Sequence, residues 1–185
     1  MFERFFGFSR CRSWLGVTSL GLLGLVAFWV KPLDASARKT AIEKIRNLRP
    51  PNLVVLIKKS QPHLGGEYLL GMYAFEIDQA DQNLRRFKLW QEWPFDLKVH
   101  TEFVRCNLES PIRVKRDSVA IYVRRLNPGG VITPFNREDH LVWWAACSPE
   151  MAGVDPAELT QKALSLGYST KLVERLNISF LLPVE

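Results

Sequence analysis

The chain lacks the short motifs that mark the common enzyme chemistries. Its 185 residues hold no phosphate-cradling G-x-x-x-x-G-K-[ST] loop, no dinucleotide glycine fingerprint, no H-E-x-x-H, no C-x-x-C and no G-x-S-x-G. Histidine is scarce, and His63, His100 and His140 stand far apart. A metal set drawn from His100, Cys106, His140 and Cys147 has none of the usual ligand spacings. Cys147 with His140 as its base fails on reach: Leu141 to Cys147 reads as a strand, and seven extended residues span over ~20 Å. Glu138 and Asp139, adjacent on such a strand, would point to opposite faces. No catalytic residue, cofactor or metal is therefore assigned from the sequence.

Charge of one sign is also missing in quantity. The net charge of +6 falls to +4 over residues 38–185, where 21 basic side chains meet 17 acidic ones. A mixed surface of this kind argues against nucleic acid as a partner. Cysteine numbers only three. Cys11 precedes the apolar stretch described next, leaving Cys106 and Cys147. An oxidising compartment allows a bridge between them, worth about 3–4 kcal/mol in the chain-entropy model. Two buried thiols acting as small apolar residues are the plainer alternative.

What is present begins with Trp14 to Val30, WLGVTSLGLLGLVAFWV, which carries no charge. Seventeen residues make about 25 Å of helix, and counting from Arg12 to Lys31 reaches roughly the 30 Å of a hydrocarbon core. Both cations can snorkel, and Trp14 and Trp29 stand where indoles prefer the interface. The apolar residues contribute roughly −3 to −5 kcal/mol to insertion, part of which Gly16, Thr18, Ser19, Gly21 and Gly24 return. No G-x-x-x-G argues for helix pairing. A cleaved secretory signal competes with a retained anchor, since Ala35-Ser36-Ala37 has the small-x-small form. Basic residues flank both sides, so charge does not fix orientation. Both export readings place the C-terminal part outside the cytoplasm.

The expected organisation is a basic tail over 1–12 and an anchor or signal over 13–31. A linker with a short basic helix follows over 32–52, then an extracytoplasmic domain over 53–185. Pro50-Pro51 ends the linker helix. Leu53 to Ile57 reads as a buried central strand. Glu67 to Ile77 follows as a strand in which Gly71 permits close backbone approach or a bulge. Leu84 to Glu92 carries Phe87 and Leu89 inward. Trp90, Trp93 and Phe95 cluster around Pro94, as a partner surface or as ordinary core. Leu97 to Cys106 alternates, with Leu97, Val99, Thr101 and Phe103 taken as one face.

Ile112 to Val114 and Ser118 to Leu126 supply two more strands, and Asn127-Pro128-Gly129-Gly130 a turn. Arg113, Lys115, Arg116, Arg124 and Arg125 form the strongest basic feature. It would attract anionic lipid or an acidic partner, or simply guard a sheet edge. Asp155, Pro156 and Glu158 cap a helix that Gly167 stops. Leu172 to Leu182 is the last strand, with Val173, Leu176, Ile178 and Leu181 expected in the core. Strands dominate, which predicts an α+β domain with a mostly antiparallel sheet and one or two covering helices. The expected role is a single-pass membrane protein that touches lipid through 13–31. Its domain would serve as an interaction or assembly module for a protein partner of a membrane complex. The alternative is an exported soluble enzyme or ligand-binding domain cut after Ala37.

Overall fold

The computed structural model describes residues 40, 43, 44 and 46–181. The apolar stretch with Arg12, Trp14, Trp29 and Lys31, and the Ala35-Ser36-Ala37 motif, lie outside them. Among the described residues no helix is long and apolar enough to cross a membrane.

Seven strands form one sheet: β1 (Val54–Gln61), β2 (Gly66–Ile77), β3 (Leu84–Trp93), β4 (Asp96–Arg105), β5 (Ile112–Arg116), β6 (Ala120–Arg125) and β7 (Arg175–Phe180). Their order in space is their order in the chain, and every neighbouring pair is antiparallel. The turns show why. Gly65 takes φ +68 after a single 3-10 turn over Pro62–Leu64. Asp78 accepts from the amides of Ala80 and Asp81, Asn107 from Ser110, and Asp117 from Val119 and Ala120. Each short polar side chain closes its turn by replacing a backbone acceptor.

Between β6 and β7 the chain leaves the sheet. Helix α1 (Arg137–Cys147) crosses one face, and a 3-10 turn over Pro156–Leu159 leads into the short α2 (Thr160–Ser165). Asp155 caps that turn through the Ala157 amide, and Gly167 at φ +94 ends α2. The core lies between α1 and the sheet, where Leu70, Met72, Phe87, Leu89 and Val104 meet Leu141, Val142, Trp143 and Trp144. Trp143 stands edge-on to both Trp144 and Tyr168, and its indole N–H donates to the Arg105 carbonyl. Cys106, just past β4, is disulfide-bonded to Cys147 at the end of α1, with Cα atoms 5.5 Å apart.

The α+β antiparallel sheet is as expected, but several segments differ. Leu141 to Cys147 is helical, not a strand. An unbroken apolar run has no periodicity to distinguish the two, and α1 is buried on nearly every side from Asp139 to Ala146. Leu53 to Ile57 is not central, because β1 is the sheet's margin and Val54 and Val55 are exposed. On β4 the alternation left the covered face open, and it is the one with Glu102 and Val104 that is sealed, while Val99 on the other is exposed. Alternation decides which residues share a face, not which face is covered. β7 is the other margin, so Val173, Leu176 and Ile178 are exposed rather than core.

On the face away from α1, the segment before β1 covers one end. Gly71 is required there: a Cβ at that position would stand 2.8 Å from Leu53 Cδ1 and 3.0 Å from the Val54 carbonyl oxygen. β2 also bulges between Tyr73 and Glu76, where Ala74 takes φ 51.

Candidate functional site

The densest chemistry lies where the first turn of α1 meets β4, β5 and β6. Glu102 and Arg113 point toward the helix from adjacent strands. Arg113 Nε donates to Glu102 Oε2 at 2.6 Å and Nη2 to Oε1 at 3.0 Å, a two-point clamp. Its Nη1 donates to Asp139 Oδ1 at 2.9 Å. Arg124 Nε lies 2.8 Å from the second Asp139 oxygen, and Lys115 Nζ 3.3 Å from the first. Glu138 stands 3.6 Å from Arg113 and 3.7 Å from Lys115. His100 Nε2 is 2.8 Å from Glu102 Oε1.

Burial alone would raise the Glu102 carboxyl, but the charge of Arg113 and the bonds from His100 and Arg113 outweigh it and hold it at about 2. The Arg113 guanidinium, also opposed by burial, is raised by Glu102 and Asp139. Acids and bases here neutralise one another. Helix placement accounts for Asp139: near an N-terminus its charge suits the helix dipole, and both it and Glu138 reach the sheet.

Two further clusters have the same closed character. Glu92, buried on the opposite face, takes bonds from Arg49, Arg46 and the Trp90 indole; burial raises its carboxyl, and those bonds bring it below its ordinary value. Glu174, just before β7, binds His140, Asn136 and the Asn127 amide, and it too is lowered against the effect of burial. His140 is fully buried, and its Nδ1 has no hydrogen-bond partner.

These positions correct the sequence reading of the basic run. Arg113 is no surface cation but is 1% exposed, and Arg124 and Lys115 turn to the same acids. Of the five, Arg116 and Arg125 alone are exposed. The aromatic group also separates. Trp90 is buried against Tyr73, Trp93 packs on Tyr68 beneath the Lys98 ammonium, and Phe95 is exposed in the β3–β4 turn. Cys106 and Cys147 hold each other, so neither is a thiolate ligand or nucleophile. Among the described residues no three metal-ligating side chains converge.

Sequence reasoning missed Glu102 and Glu92. For Glu102 the available signal was an acid within a strand and an arginine on the next, a pairing that becomes informative once the covered face is known. The arginines of Glu92 come from the segment before β1, which strand pairing does not point to.

Beside the cluster, a cleft of about 660 Å³ opens between the first half of β4 and the β5–β6 turn, lined by Leu97, Val99, His100, Lys115, Arg116 and Tyr122 among others. No protein-family model, no curated protein and no solved structure matches the chain.

Proposed function

We propose that the protein is a single-pass membrane protein whose extracytoplasmic α+β domain is a non-catalytic interaction or assembly module. The observation that carries this reading is the bond between Cys106 and Cys147. Structural disulfides belong to oxidising compartments, and this one fastens the end of the covering helix to the sheet. The apolar stretch over 14–30 supplies the tether, and its length and flanking indoles support retention. The buried charges support binding rather than chemistry, since Glu102, Arg113 and Asp139 satisfy one another and leave no acid or base poised for proton transfer.

The test follows the full-length protein in intact cells. Thiols are quenched with acid and alkylated before and after reduction, and the mature N-terminus is read by mass spectrometry. The expected result is Cys106 and Cys147 reactive only after reduction, with Met1 or Phe2 retained in the membrane fraction. Free thiols at both positions would overturn the extracytoplasmic address. A terminus at Arg38 would favour the second reading, an exported soluble domain, which the Ala35-Ser36-Ala37 sequence supports.

A further inference from the structure

β4 and β5 differ in length, and the difference leaves a strand edge open inside the sheet. β4 runs from Asp96 to Arg105, yet its register with β5 covers only Glu102↔Lys115 to Arg105↔Ile112. The chain then turns into β6 at Asp117. Residues 97–100 are paired with β3 on one side, and on the other no strand is paired with them among the described residues.

The direction of the backbone groups follows from the hairpin. Trp93 and Asp96 close a two-residue turn, so they and every second pair after them bond across β3–β4. The amides and carbonyls of Lys98 and His100 therefore face β3, whereas those of Leu97 and Val99 face the gap. The Leu97 amide fits this assignment, since it is bonded to the Asp96 side chain at 2.9 Å rather than to a strand. Phe103 and Arg105, of the same parity, lie in register with Val114 and Ile112 of β5.

The gap coincides with the cleft of about 660 Å³, and the cleft straddles the edge. Leu97, Val99 and Arg116 reach it from the face away from α1, and Lys98, His100, Lys115 and Tyr122 from the helix side. Its chemistry is divided: one wall carries Leu97 and Val99, the other the ammonium groups of Lys98 and Lys115. Two acids at the strand ends stand near, besides Glu102 at His100 and Asp139 and Glu138 at Lys115. Asp96 is bonded to the Leu97 amide, and Asp117 accepts from the Val119 and Ala120 amides and the Tyr122 hydroxyl. Both carboxylates are thus engaged locally. On the helix side Lys115 is shared with Asp139 and Glu138, and His100 with Glu102, leaving Lys98, 5.5 Å over the Trp93 ring, the most available cation.

We infer that this cleft receives an extended segment of another polypeptide, added to β4 as a strand, whose side chains alternate between acidic and apolar. Strand addition supplies main-chain affinity through Leu97 and Val99, and alternate side chains supply selectivity. Acidic residues of the incoming strand fall on the side of Lys98, His100 and Lys115. Apolar ones fall on Leu97 and Val99. Room for about four paired residues exists before the strand meets the β5–β6 turn. The inference rests on the reading of the domain as an interaction module and adds the chemistry of its partner.

The probe is a fluorescent ten-residue peptide of alternating valine and glutamate, titrated onto the full-length protein in lipid nanodiscs. A lysine-for-glutamate counterpart and an N-methylated glutamate peptide serve as comparisons. We expect saturable binding of the glutamate peptide, at least tenfold weaker binding of both comparisons, and slowed amide exchange over residues 97–100. Val99→Pro removes the outward amide without touching the β3 ladder, and should weaken binding at least tenfold. The variant Lys98→Glu, on the wall assigned to the acidic side chains, should shift the preference toward the lysine peptide. Should V99P fail to fold, the N-methylated peptide asks the same question of the unaltered protein. No saturable binding, equal binding of both charge forms, indifference to N-methylation, or protection at β7 instead of β4 would each overturn the inference. The peptide assay does not depend on where the domain sits. Failure here with oxidised thiols in cells sinks the partner chemistry alone, and free thiols with an intact peptide response sink the address alone.

Discussion

Arg113 and Glu102 meet diagonally across β4 and β5 through two near-parallel hydrogen bonds, and both side chains are 1% exposed or less. Their pairing fixes how α1 sits, because the remaining guanidinium nitrogen reaches Asp139 on its first turn. Removing one partner of a buried pair leaves an uncompensated charge, at a cost of about 3–5 kcal/mol. Arg113→Met should therefore lower the urea midpoint sharply. The double variant Arg113→Met/Glu102→Leu should recover at least half of that loss, as two apolar side chains need no partner. Equal midpoints for the single and double variants would contradict this account.

Acid should weaken the domain through Glu102. Its folded value of about 2 lies below the ordinary 4.5, so the stabilisation is present above 4.5 and is lost as pH falls through 2. That shift corresponds to about 3 kcal/mol. Glu92 and Glu174, also lowered, act in the same direction. Urea melts at pH 6 and pH 3 should show a large drop in the parent. Glu102→Gln should show a smaller drop, having surrendered part of its stability at every pH.

The disulfide should contribute heavily. It joins residues separated by 41 positions, for which loop closure gives about 4 kcal/mol. Reduction, or the paired change Cys106→Ala/Cys147→Ala, should lower the thermal midpoint by many degrees while leaving the strand signal in circular dichroism at low temperature. An unchanged midpoint under dithiothreitol would show the bond to be dispensable.

Gly71 and Ala74, three residues apart on β2, should respond in opposite directions to substitution. Gly71→Ala forces a Cβ against the Val54 carbonyl and should destabilise by about 1–3 kcal/mol. Ala74 occupies φ 51, a conformation glycine adopts without steric cost, so Ala74→Gly should be neutral or stabilise by up to about 1 kcal/mol. Chemical denaturation of the two variants beside the parent measures both.

The sheet was legible because its turns are written in local chemistry. Asp78 opens the polar run DQADQN and closes its turn with its own side chain, as Asn107 and Asp117 do for two turns the sequence reading left unmarked. The inward Phe87 and Leu89 could likewise be read from alternation. The covering helix was not legible, since LVWWAAC has neither the polar stripe of a surface helix nor the alternation of a half-buried strand. That one error moved Asp139 from a strand, where it seemed stranded from Glu138, to a helix terminus where both serve the same arginine. Which face of β4 is covered was not legible either. Phe103 and Val99 look the better core residues, and only the arginine on β5 draws Glu102 inside.

The plain succession of strands has a kinetic meaning. From β1 to β6 each new strand docks beside the one just finished, so loop-closure entropy stays small at every step and the sheet can zip up from its amino end. The lid and its sulfur tie come afterwards, when residues beyond 137 become available. A nascent chain halted before that point would hold a ribbon with one greasy side bare, which is the species a holdase chaperone would be expected to seize.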